Sequence, residues 1–332
     1  MEYQAFCNEI ISKINEQLRE VNGNAEATIM KTERNNDSMV ESIVIRGSGQ
    51  TMAPAFKIQG LYEESQNGHS LDQIAANTVE AYLTVSQDAP VSIADMINYE
   101  KMKDLVVLQL INKDFNVERL KSIPYQEIDH TDLAVMLRIQ LDPQNSKVVD
   151  SELLNIWGID SETVFKHAME NSVRIEPASI ISMDEMMFSM LMDTAPELKA
   201  ISDIQMEQGG LYTLSNHSMH YGASALLYPD VLEQLAANSN TNLIILPSST
   251  HEVLLLMDDG EKDISGFQQM VASINMDCVS PEDVLSNGVY YYDKDEHMLS
   301  LVSTREQTAD LKPQRLETAV KEELEAEEDL ER

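Results

Sequence analysis

Two short runs of consecutive apolar residues, Leu243 to Leu246 and Val253 to Met257, constrain this chain most. A strand that is hydrophobic at every position offers no face to water, so it has to lie inside a sheet covered on both sides. Separated by Pro247 to His251, the two runs read as paired central strands. Both fall far short of the roughly 18 apolar residues that a membrane span requires, so no membrane role is expected.

Around that pair the periodicity predicts an α+β chain. Tyr3, Phe6, Cys7, Ile10, Ile11, Ile14, Leu18 and Val21 recur every three to four residues, the stripe of an amphipathic helix that Gly23 ends. Residues 26–33, 40–46 and 52–62 read as strands divided by the turn-forming Asn35-Asn36-Asp37 and Gly47-Ser48-Gly49. Ser70 and Gln73 form a capping box for a helix that carries Leu71, Ile74, Ala75, Val79, Tyr82 and Leu83. Residues 1–88 are therefore expected to form a helix, three strands and helix domain, closed by a boundary at Asp88-Ala89-Pro90.

A middle α+β segment is expected over 91–194. Ser92 with Asp95 opens a helix to Met102, Leu105–Ile111 and Asp132–Leu141 read as strands, and Asn116–Ser122, Ser151–Trp157 and Ser161–Asn171 read as helices, with a turn at Asp142-Pro143-Gln144-Asn145. Ser182 with Glu185 caps a helix whose Met183, Met186, Met187 and Met190 fall at i, i+3, i+4 and i+7, a stripe read as core filling by flexible thioethers. Ala195-Pro196 marks the next boundary. Residues 196–304 then give strands at 211–215 and 222–227, a helix opened by Pro229 and the two central strands. A helix bearing Ile264, Phe267, Met270, Val271 and Ile274 follows, then a helix start at Ser280-Pro281-Glu282-Asp283 and a hairpin over 289–293 and 298–303. Residues 305–332 form an acidic helical tail with Leu316, Val320 and Leu324 on a thin stripe. The architecture expected is several small mixed or antiparallel sheets, each covered by helices.

Charge limits the partners. The chain has 57 acidic against 23 basic side chains, a formal charge of −34. The tail holds 10 acids and 5 bases, so −29 of that charge is spread over the rest. Such a field repels phosphate backbones and anionic lipid, which disfavours direct nucleic-acid binding and favours a basic protein partner or solubility alone. Cys7 and Cys278 match no metal spacing, and the first twenty residues lack a basic and apolar leader, consistent with a cytoplasmic setting.

The densest polar cluster is Pro247-Ser248-Ser249-Thr250-His251-Glu252, with His217 and His220 earlier in the same region. A serine hydroxyl, an imidazole and a carboxylate are the ingredients of acyl transfer, which makes Ser248, Ser249, His251 and Glu252 the candidate catalytic residues. The same residue types are ordinary turn formers, and the turn is the preferred reading. His217, His220 and His251 could offer three imidazoles to zinc, but a two-residue gap on a strand and turn points His217 and His220 apart, and no metal is expected. Gly222-Ala223-Ser224-Ala225 lacks the second glycine of a nucleophile elbow, Gly47-Ser48-Gly49 leads into a strand where a dinucleotide loop needs a helix, and Asp293 to Glu296 lacks the calcium-loop glycine, so no cofactor is expected. Tyr290-Tyr291-Tyr292 reads as strand packing and Trp157 as a helix-end core anchor.

The chain resembles an uncharacterised bacterial domain-of-unknown-function family common in gut Firmicutes, over most of residues 1–300. Carrying the resemblance are Asn98 to Asp104 leading into Leu108 to Asn112, Asp132 to Val135, and Trp157 with Ala168 to Asn171. Leu211 to Asn216 with Tyr221 to Ser224 carries it too, as does Ile245 to Val253. It implies an intracellular protein in which the Pro-Ser-Ser-x-His-Glu stretch recurs, and it brings no catalytic residues with it. The function expected is a non-enzymatic protein-interaction or regulatory module with an acidic surface. The alternative is a hydrolase centred on Ser248 to Glu252. Oligomeric state is left open.

Overall fold

The computed structural model describes residues 2–21, 23–47, 53–87, 92–142, 146–261 and 263–302. Ser48-Gly49, the boundary at 88–90, Pro143 to Asn145 and the tail 305–332, all read above as turns, a linker or a helix, lie outside them. The chain divides into two compact units, one made of 1–34 with 38–98 and the other of 35–37 with 99 onward.

In the first unit, α1 (Tyr3–Val21) buries Phe6, Cys7, Ile10, Ile14 and Leu18 on one stripe. Its Asn15 side chain accepts from the Ala27 N–H at 2.9 Å and donates to the Ala27 carbonyl at 3.0 Å, which docks it on the antiparallel sheet β1 (Ala25–Glu33), β2 (Met39–Gly47), β3 (Ala55–Lys57). The strand expected over 52–62 is corrected: only Ala55–Lys57 pairs, and α2 (Ile58–Gln66) starts at Ile58. Ile58, Leu61 and Tyr62 also satisfy i, i+3, i+4 spacing, and Tyr62 meets Tyr3 and Phe6 edge to face at 5.2 Å, so packing on α1 selects the helix. In α3 (Leu71–Gln87), Ser70 accepts from the Gln73 N–H, and Ile74, Ala75, Val79 and Tyr82 are buried. The unit ends with α4 (Ile93–Met96).

The second unit opens with α5 (Tyr99–Met102), so the single helix expected from Ser92 to Met102 is two short ones. Its smaller sheet pairs β4 (Val106–Asn112) with β6 (Leu133–Gln140), and β6 with β5 (Tyr125–Glu127) and β7 (Ser146–Val148). All residues of β4 and β6 are buried. Asn116–Ser122 supplies only a 3-10 turn, Arg119–Lys121. α6 (Ser151–Trp157) ends on left-handed Gly158, and α7 (Ser161–Ile175) runs four residues past the expected end; both start on an aspartate whose side chain accepts a backbone N–H.

The larger sheet has seven antiparallel strands in the order β14-β13-β11-β12-β10-β8-β9, with β8 (Ala178–Ser182), β9 (Lys199–Ala200), β10 (Leu211–Asn216), β11 (Leu243–Pro247), β12 (Val253–Met257), β13 (Tyr290–Asp293) and β14 (Met298–Leu301). The apolar runs Leu243 to Leu246 and Val253 to Met257 lie in β11 and β12, third and fourth in the sheet. Because β8 and β9 join strands from beyond 211, the boundary expected at Ala195-Pro196 falls within one sheet: backbone pairing across that point ties the middle segment to the C-terminal one. α9 (Val231–Ser239) packs beside the 3-10 segment Gly222–Leu227, and α10 (Ile264–Cys278) packs over Ile244, Leu246 and Leu256.

Three further expectations change. Residues 222–227 are not a strand; Ser224 caps the free edge of β4, its hydroxyl accepting from the Leu110 N–H and donating to the Leu108 carbonyl. Ser280 opens only a 3-10 turn, Pro281–Asp283. The helix α8 (Met183–Leu191) has the full capping box expected of Ser182 and Glu185, yet its methionines do not fill the core. Only Met186 is buried, while Met187, Phe188, Met190, Leu191 and Met192 are 55%, 63%, 72%, 81% and 59% exposed. The helix packs on β8 and β10, and that contact leaves these apolar residues exposed.

Candidate functional site

The candidate residues of the 247–252 loop and the histidines after β10 come together because β10 and β11 both pair with β12. Leu214 lies opposite Val253, and Pro247 opposite the same Val253, so the end of β10 and the β11–β12 turn share one rim of the sheet. Gly222 makes the approach possible. A Cβ there would stand 2.1 Å from Ser215 Oγ, 2.5 Å from the Asn216 nitrogen and 2.7 Å from the His251 carbonyl.

Within the loop the hydroxyls are used locally. The Ser249 N–H donates to the Glu252 carbonyl, the His251 N–H donates to Ser249 Oγ at 3.0 Å, and Ser248 Oγ donates to Glu252 Oε1 at 3.3 Å. These are the bonds of a serine-closed turn. Thr250 is fully buried, its N–H donating to the Asp283 carbonyl and its own carbonyl accepting from the Ala223 N–H.

His251 is fixed at both ring nitrogens. Nδ1 accepts the Tyr221 N–H at 3.1 Å, which places the neutral ring's proton on Nε2, and Nε2 faces Asp283 Oδ1 at 3.3 Å. Neither nitrogen is directed at Ser248 or Ser249. The ring stacks on Tyr221 at 5.3 Å and 19°, and the Arg138 guanidinium lies over the Tyr221 ring, 4.6 Å from its centre. Tyr221 itself holds left-handed backbone at φ 51°.

Arg138 is 1% exposed, donates to the Gln140 side-chain oxygen and leaves Nε without a partner. Burial draws its pKa down to about 10, opposed by Tyr221, Glu176 and Tyr228, so it remains a cation at neutral pH. His220 lies between these groups, 5.2 Å from the His251 ring. Its imidazole is pushed down to about 4, first by burial and then by Arg138 and His251, with Asp283 acting the other way. At neutral pH the cluster is thus one buried cation, a neutral His220 and one His–Asp pair.

His217 does not join it. Its side chain is exposed, and its N–H donates to the Pro177 carbonyl. The three imidazoles considered for a metal therefore do not converge, and among the described residues no three His, Cys, Asp or Glu side chains are grouped to hold an ion. Arg138, Tyr221 and Asp283 were missed by sequence reasoning. For Arg138 a signal existed, since it is the one charged residue in β6, a strand otherwise of apolar residues and Gln140. Chemically the arrangement clamps three chain segments, 215–222, 248–252 and 283, and presents no hydroxyl to a free base.

A buried carboxylate closes the unit elsewhere. Asp132 accepts from Asn112 at 2.7 Å, from Ser286 at 2.8 Å and from the Tyr290 hydroxyl, joining the start of β6 to β13. Burial, followed by Asp132, raises the Tyr290 pKa well above its ordinary value. Comparison with known proteins found no match among curated proteins and none among solved structures. The family model for DUF5688, a family of unknown function, matches residues 3–294, and the chain belongs to that family.

Proposed function

We propose that this protein is a non-enzymatic binding module whose acidic surface steers a basic protein partner. The observation that carries the reading is where the carboxylates sit. Even with each Lys and Arg paired one to one, the excess of 34 acids has no cation, and among the described residues only Asp132 and Glu176 are buried acids. The rest of the described carboxylates lie at or near the surface, where their summed field raises the encounter rate with a cationic surface and repels nucleic acid. A cytoplasmic setting fits this reading, and no described helix is long and apolar enough to cross a membrane. A hydrolase centred on Ser248, Ser249, His251 and Glu252 is not favoured, because both nitrogens of His251 are engaged away from the serines.

The test is affinity capture of the full-length protein from an extract of its source cell at low and at high ionic strength, with identification of what is retained. A stoichiometric basic protein held at low salt and released at high salt is the expected result. Retention that ignores salt, or an acidic partner, overturns the steering.

A further inference from the structure

α8 stands out as an apolar helix with nothing described over it. Met187, Phe188, Met190 and Leu191, with Met192 just past its end, are exposed, and its start is pinned by the Ser182–Glu185 capping box. Exposed large apolar side chains grouped within one short helix mark an interaction surface, and methionine side chains adapt to varied apolar partners. Acids flank the helix in sequence on both sides. Asp184, Asp193 and Glu197 are exposed and form no ion pair among the described residues, while Lys199 is held by Glu185 at 2.5 Å.

We propose that the outer face of α8 is the docking surface for a basic amphipathic helix of another protein, which seats apolar residues on Phe188, Met190, Leu191 and Met192 and its Lys and Arg against Asp184, Asp193 and Glu197. This rests on the acid-steered reading above and names the partner's chemistry. Charge decides between occupants. A second copy would bring the same unpaired acids against themselves, and residues 305–332 of this chain hold 10 acids against 5 bases. A cationic helix meets the apolar stripe and the acidic rim together, the helix-on-apolar-face mode of recognition.

The probe is a helix-forming peptide of about 18 residues with Leu at i, i+3, i+4 and i+7 and Lys elsewhere, beside versions with Gln for Lys and Ser for Leu. It is titrated into the full chain, with folding of each variant checked by circular dichroism. The basic amphipathic peptide should bind, and F188S/L191S and D184N/D193N/E197Q should each weaken it by about tenfold or more. An equal number of neutralised exposed acids in the first unit, E9Q/E16Q/E20Q, should change affinity by less than about twofold. Equal losses from the two acid sets, or binding indifferent to F188S/L191S, overturn the docking surface. If the basic partner captured from extract is still held by F188S/L191S in a salt-sensitive way, the docking surface fails while the steering reading stands. If no basic protein is held at low salt, the steering reading fails. Concentration-dependent dimers in sedimentation that F188S/L191S abolishes would assign the face to a second copy and overturn the proposal.

Discussion

His220 is half-buried beside a cation and a second imidazole, and it stays neutral down to about pH 4 in the fold, against an ordinary 6.5 when unfolded. Between those values the unfolded chain binds the extra proton, so this histidine's contribution is present above pH 6.5 and lost as pH falls toward 4. Unfolding free energies measured from pH 7 to 4 should therefore decline less steeply in His220→Gln than in the parent, and an NMR titration should find the His220 ring unprotonated at pH 5.5. A ring already charged at that pH would contradict the described surroundings. Gly222 gives a second residue-level expectation. An alanine methyl would overlap Ser215 Oγ and the His251 carbonyl, and because one of those contacts is backbone, Gly222→Ala should cost about 1–3 kcal/mol in urea unfolding. In the 247–252 loop the serine hydroxyls bond within their own neighbourhood, which is the part of the site that local sequence can express. Sequence reasoning missed Arg138, Tyr221 and Asp283, which reach the loop across the fold and leave no spacing signature.

Among the elements, β11 and α8 make opposite use of apolar side chains. Ile245, fully buried between β12 and β13, should lose about 2–5 kcal/mol on Ile245→Ala, whereas Leu191→Ser on the outer face of α8 should change stability by no more than about 0.5 kcal/mol. Paired denaturant curves check both, and a large loss from Leu191→Ser would mean that the face is covered. Periodicity found α1, α3, β4, β6, β11 and β12 because each buries a full stripe or both faces. It misjudged α2, whose few apolar residues satisfy both periods until α1 selects one. The methionine stripe of α8 was correctly helical, yet its burial depended on whether neighbours reach it, and spacing carries no such information. Residues 222–227 were misjudged for the reverse reason: burial on both sides imitated a strand in a segment that instead caps the edge of β4.

For the whole molecule, a charge of −34 works against compactness through self-repulsion. Added sodium chloride up to about 0.3 M should therefore raise the thermal midpoint, screening repulsion beyond the few Lys–carboxylate pairs it weakens. A midpoint that falls with salt would show that attractive pairs dominate. The α+β class was legible from the mix of periods. The larger sheet was not, because β8 enters it from before the Ala195-Pro196 point, and strand order is set by pairings that local sequence does not encode. Those pairings also fix an order of events during synthesis. Leu110 of β4 and Leu133 of β6 share their core with Leu285 and Tyr290, and Asp132 waits for Ser286 and Tyr290. At about 5–20 residues per second, the ribosome takes roughly 10–40 s to travel from Asn112 to Tyr290. Throughout that interval two largely apolar strands hang from the nascent chain without Leu285 and Tyr290, so the burial of this core is among the last steps that synthesis allows.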